Sequence, residues 1–141
     1  MADVLPGYDG ELYYKVGGQA AGGSYVLLTN ATDVTQDQSA SEGGSTTRAS
    51  KPYSTSEPLL IALQIDFEMI VDSGDTHYAA FRTAFYAKTM LGIQFYDENG
   101  GEGIQADYKI HKFQHQQPLD NVQKVSVMLK PCRSDTAPSL I

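Results

Sequence analysis

The chain has 141 residues, 41% of them hydrophobic and 10% aromatic with no tryptophan, which suits one domain with its own core and leaves no room for a separate catalytic module. Seventeen acidic against ten basic residues give a net charge of −7, and Lys and Arg are spread thinly without a basic stripe, which argues against appreciable affinity for nucleic acid phosphates. The single cysteine, Cys132, excludes an internal disulfide framework and a zinc site built on paired thiolates, and reads as an inert thiol.

The amino terminus, MADVLPGYDG, lacks the basic start and apolar run of a secretion signal, and no stretch approaches about 18 consecutive apolar residues. The expectation is a soluble product made in the cytoplasm. Residues 11–16, ELYYKV, and 24–29, SYVLLT, predict short strands, with the Gly-rich residues 17–23 as the hairpin loop between them. Those glycines do not read as a phosphate cradle, because no helix follows them. From Ala31 to Pro58 the sequence is polar and poor in apolar residues; residues 32–39 have strand character, and the rest predicts a protruding hairpin that orders against a neighbour.

Residues 59–71, LLIALQIDFEMIV, carry the clearest period of two. Leu63, Ile65, Phe67, Met69 and Val71 share one face, and Gln64, Asp66 and Glu68 share the other. Two carboxylates on one strand face, roughly 6–7 Å apart, are within reach of glycosidase-like acid/base chemistry, but nothing else assembles around them, and the pair reads as a solvated strand face. Residues 75–88 predict the one convincing helix. Asp75 suits the N-cap and Lys88 the last turn, while Tyr78, Phe81, Ala84 and Phe85 form the apolar stripe that packs on a sheet.

Strands follow at residues 90–97, 103–115 and 121–130. Asn99-Gly100 predicts a type I′ hairpin turn, which needs positive φ at both central positions. Ile104, Ala106, Tyr108 and Ile110 alternate with polar residues, and Phe113 on the opposite parity predicts a bulge. His111 and His115 share a parity but lie roughly 13–14 Å apart along an extended strand, too far to ligate one ion. His77 reads as a surface residue at the helix start. No nucleophile motif, phosphate loop or CxxC is present, so no catalytic, cofactor or metal residue is nominated and the chain reads as a non-enzyme needing no cofactor. Asn30-Ala31-Thr32 matches a glycosylation acceptor by pattern alone.

Five segments in a consistent order, GYDGELYY, LLTNATDVT, TTRAS, IDFEMIVDSGDTHYAAFRTAF and QADYKIHKFQHQQPLDNVQKVSVMLKPCRSDTAPSLI, resemble the major tail tube proteins of long-tailed phages, the last most specifically. The resemblance implies a mainly β fold: a β-sandwich or partly closed barrel of antiparallel strands with one flanking helix and a long protruding loop. It implies a single domain over residues 1–141, with residues 1–10 and 131–141 as arms and 32–58 as an inter-ring loop. The implied role is that of a structural virion protein, forming stacked hexameric rings whose lumen conducts DNA from capsid to host. Its implied partners are further copies of itself, a tail terminator, baseplate or tip proteins and a tape measure protein, with DNA passing without specific binding. The polar face of Gln64, Asp66 and Glu68 is the expected lumen lining, since carboxylates repel the duplex. Two other readings are the tube of a contractile injection or secretion system and a carbohydrate-binding β-sandwich, for which Tyr8, Tyr13, Tyr14, Tyr25 and Tyr53 would supply an aromatic platform.

Overall fold

The computed structural model describes residues 4–50, 53–72 and 74–141; residues 1–3 of the expected amino-terminal arm and residues 51–52 of the expected loop lie outside the described residues. The strands are β1 (Glu11–Val16), β2 (Val26–Leu27), β3 (Ala31–Gly44), β4 (Ser56–Ile70), β5 (Leu91–Tyr96), β6 (Gly103–Gln116), β7 (Lys124–Pro131) and β8 (Ser139–Leu140), with one α-helix, α1 (Thr76–Ala87), between β4 and β5. They form an antiparallel eight-stranded sheet in the order β2-β1-β5-β6-β7-β4-β3, with β8 paired to β6 off this path.

The sheet is open, yet its two edge strands, β2 and β3, are joined by only three residues. Three residues span about 10 Å, so the sheet has to curl until its edges nearly meet. The connection is stitched to both sides: Leu28 donates its N–H to the Leu12 carbonyl at 2.9 Å, and the Asn30 carbonyl accepts from Ile70 at 3.0 Å. The architecture is thus mainly β, with the outline of a partly closed barrel.

The inner face holds the core. Alternation along β4 buries Leu63, Ile65, Phe67 and Met69 and leaves their neighbours half-exposed; Val125, Val127 and Leu129 of β7 do the same. Helix α1 fills the open side of the curl. Asp75 caps it by accepting the His77 N–H at 3.0 Å, and Lys88 ends it in the left-handed region at φ 59°. Of the four residues expected to pack, Phe81 and Ala84 are buried, with the Phe81 ring 4.9 Å from Tyr14 on β1 and 5.6 Å from Phe67 on β4. One aromatic side chain therefore joins opposite ends of the sheet. Tyr78 and Phe85 are half-buried on either side of Phe113, at 6.0 and 5.7 Å.

Three expectations need correction. Asn99-Gly100 does not make a type I′ turn: only Gly100 has positive φ (77°), and the strands close through Asp97 N–H to Glu102 O, leaving four residues in the turn. Such a loop relieves Asn99 of the left-handed conformation that a two-residue turn demands. His77 is not a free surface residue, because its Nδ1 meets the Tyr14 hydroxyl at 2.8 Å and so ties the helix start to β1. The strand expected over residues 24–29 is ordered as a ladder only at Val26–Leu27. The bulge expected near Phe113 is present, as a register shift between Ile110 and Lys112 where β6 passes along β7.

Candidate functional site

No group of three or more His, Cys, Asp or Glu among the described residues is placed to hold a metal ion, and among them no helix is long and apolar enough to cross a membrane. The features that stand out are an overhanging hairpin and the outward face of the sheet.

β3 and β4 pair along nearly their whole length, from Ala31↔Met69 to Gly44↔Ser56, with irregularities between Thr32 and Thr35 and between Ala40 and Glu42. β7 accompanies β4 only from Ile65 to Ile70. Beyond Ile65 the hairpin is two strands with no third strand beside it among the described residues, an overhang of roughly 30 Å at about 3.3 Å per residue. An isolated two-stranded ribbon is marginal in water. Here side chains supplement the ladder: Leu60 N–H donates to Ser41 Oγ at 2.9 Å beside the second irregularity, and Ser45 and Thr46 bond Thr55 near the turn. The ribbon nevertheless displays Leu59, Leu60 and Ile61 in succession, 62%, 77% and 74% exposed, and Tyr53 at its tip. Leu59, Leu60 and Ile61 divide between the two faces of the ribbon, so both faces of the overhang offer apolar surface for a neighbour to cover.

The outward face of the sheet carries Gln64, Asp66 and Glu68, all half-exposed, with Gln64 Nε2 donating to Asp66 Oδ2 at 2.8 Å. Register places their neighbours. Asp66 lies between Thr35 and Met128, with Lys112 next beyond; Glu68 lies between Thr32 and Ser126, with Gln114 next beyond. Lys109 stands opposite Lys130, and Lys124 opposite Gln116. Four of the ten basic residues therefore share one face on β6 and β7, directly beside the acidic lane of β4. The count of charges hid this grouping, because it emerges only when the bulge at Ile110/Lys112 brings Lys112 onto the face of Lys109 and Lys130.

A second polar feature sits at the far end of β6. Asp107 is buried, accepting the Gln19 N–H at 2.6 Å and the Ser134 hydroxyl, while its carbonyl accepts from Cys132 at 3.1 Å. It fastens the β1–β2 loop and the segment after β7 to the sheet. Burial, and then the Asp107 charge, push the Cys132 thiol up, so it is protonated and a poor nucleophile at neutral pH. Burial also pushes the Tyr108 hydroxyl up to about 12, with Gln36 acting in the opposite direction. The tyrosines considered as a glycan platform do not form one: Tyr14 is in the core, Tyr13 packs on Tyr96 at 5.6 Å, Tyr25 lies under Lys15, and Tyr8 and Tyr53 are at separate exposed sites.

A scan of protein-family models and a search of curated proteins find no match. Solved structures do match. The tail of an empty gene transfer agent particle, refined with C6 helical symmetry, superposes with a TM-score of 0.78 at 15% identity, over 98% of this chain and 99% of that one. The SPP1 tail tube gives 0.74 at 14% identity over 91% of this chain and 76% of that one. A chain of the anti-feeding prophage baseplate gives 0.71 at 5% identity over 100% and 97%. The chain has the tail-tube fold. The likeness lies in the backbone arrangement, since the identities over the matched length are only 15% and 14%.

Proposed function

We propose that this chain is the major tube subunit of a phage-type tail, a non-enzymatic structural protein of the virion. Its copies form hexameric rings, the rings stack into a tube, and DNA passes through the lumen. The observation that carries this is the β3–β4 overhang, whose exposed Leu59-Leu60-Ile61 run has no cover among the described residues, on a fold shared with subunits of tails and tubes. Residues 32–58 form the stacking element, residues 1–10 and 131–141 act as arms, and the ends of the tube meet a terminator, a baseplate or tip, and a tape measure protein.

Gln64, Asp66 and Glu68 line the lumen in this reading. The same face also carries Lys109, Lys112, Lys124 and Lys130, so the lining is a mixed one, acidic along β4 and basic along β6 and β7. Opposite charges about 5–10 Å apart offset one another in part, the two carboxylates of β4 against the nearest of the four lysines, and this weakens trapping of the duplex. A second reading, the tube of a contractile injection system, is favoured by the likeness to the anti-feeding prophage baseplate chain.

Negative-stain microscopy of the purified chain over a range of concentrations tests the proposal. Hollow tubes or six-fold rings are the expected result; a persistent monomer at high concentration, even with seeds of authentic tail added, would overturn it.

A further inference from the structure

β6 is longer than any partner on its β7 side. β7 pairs with it from Gln116↔Lys124 up to Tyr108↔Pro131, and residues 103–107 then run on past the end of β7. Left bare, those residues would be an open strand edge, the usual template for pairing with another chain. What covers the edge is β8, through two Cα pairs, Ile104↔Leu140 and Gln105↔Ser139. Gly103 and Ile141 exchange both backbone hydrogen bonds at 2.9 Å, and Gln105 Nε2 donates to Ser139 Oγ at 3.1 Å. The cover is otherwise superficial. Leu140 is 85% exposed, so its side chain contributes almost no burial where it now sits. The connection is held at Cys132 and Ser134 by Asp107, and residues 135–138 beyond that anchor span up to about 14 Å.

We propose that the β6 edge at residues 103–107 is an acceptor site for residues 139–141 of a second copy of this chain. The pairing within one chain is the closed form held before assembly. The proposal rests on the tube reading for its biological setting. Every backbone bond lost in opening is remade in the neighbour, so exchange costs little, as in other swaps of identical elements. The gain comes from Leu140, an apolar side chain wasted on solvent in the closed form and placed to be covered between two subunits. Weak attachment is needed for this, and two Cα pairs with little apolar burial provide it.

The test uses full-length chains carrying Cys132→Ser. One preparation bears Ile104→Cys and the other Leu140→Cys. These positions are opposed across the ladder, at a separation that suits a disulfide. Mixed under assembly conditions and mildly oxidised, the two are expected to yield a covalent heterodimer well above that from Ile104→Cys with Leu119→Cys, an exposed control. Microscopy of the same mixtures separates the two ideas. Tubes without heterodimer overturn the exchange and leave the tube. Heterodimer without tubes upholds the exchange and removes the tube. Neither product removes both. In the free subunit, the Gly103 and Ile141 amides should exchange with solvent about 100-fold faster than that of Tyr108, which lies in the same strand as Gly103 and is held against Leu91 of β5; equal protection would overturn the proposal whatever the mixtures show.

Discussion

Leu60→Asp in the β3–β4 overhang should separate assembly from folding. Leu60 is 77% exposed in the free subunit, so replacing it there removes almost no buried surface, and a surface substitution of this kind changes stability by about 0.5 kcal/mol or less. For a chain of this size that is a shift of roughly 2 °C or less in Tm. In a stacked ring the balance differs. Fully burying a Leu or Ile contributes about 1.5–3 kcal/mol, and Leu59, Leu60 and Ile61 retain most of that to gain, roughly 1–2 kcal/mol each. Loss of the Leu60 share, with the desolvation of a new carboxylate added, should weaken each contact by about 3 kcal/mol, or more than 100-fold in association constant. Sedimentation of polymer against subunit concentration would show the critical concentration rising by at least tenfold, with thermal unfolding of the free subunit unchanged. Leu60→Met should assemble as the parent does. Tubes forming from Leu60→Asp at the parental critical concentration would refute the reasoning, and so would a large fall in Tm, which would mean that Leu60 already packs within the subunit.

Phe81→Ala should lower stability by about 3–5 kcal/mol, measured by urea denaturation, since the ring fills the curl between Tyr14 and Phe67. Gly103→Ala should also destabilise, because an added Cβ would lie 2.1 Å from the Phe95 carbonyl oxygen, a backbone atom with little room to yield; an unchanged denaturation midpoint would show that β5 and β6 can separate there. The Tyr108 hydroxyl titrates at about 12 when folded against 10 when unfolded, so its contribution is fully present below pH 10 and is lost as pH rises through 12. Alkaline denaturation of Tyr108→Phe should accordingly show a shallower fall in stability across that window. If Gln64, Asp66 and Glu68 face the lumen, Asp66→Lys with Glu68→Lys should slow DNA ejection without preventing tube assembly; parental ejection kinetics would count against that placement.

The inward-facing residues were the legible part of this fold. Leu63, Ile65, Phe67 and Met69 alternate with polar residues in the sequence and are buried as that alternation requires, because β4 has the core on one side and solvent on the other. Asp75 and the Tyr78–Phe85 stripe likewise announced α1. The full span of β3 was less visible, since its residues from Asp37 to Gly44 are almost all exposed and carry no apolar period. β8 left no trace either: two residues held by backbone bonds need no particular side chains. The lysine face was hidden for another reason. Lys109 and Lys112 are three apart and would oppose one another on a regular strand, and only the bulge aligns them. The roles of His77 and Asp107 depended on partners 63 and 88 residues away, which no local pattern encodes.

The position of β6 in the sheet also sets the order in which a nascent chain can fold. As the ribosome delivers residues 1–100, the β3–β4 hairpin can form from adjacent sequence, and β1 can meet β5, but nothing yet joins the two groups through the sheet. β6 has to emerge before β5 gains its second neighbour, and β7 before β4 does. The overhang is therefore made early, while the body that would receive it in the stacking proposed above is completed last. Such late, non-local closure makes for slow folding and leaves unpaired edges exposed during synthesis. Polymerisation would then be timed by translation itself, because an unfinished chain can present the overhang to others but cannot yet accept one.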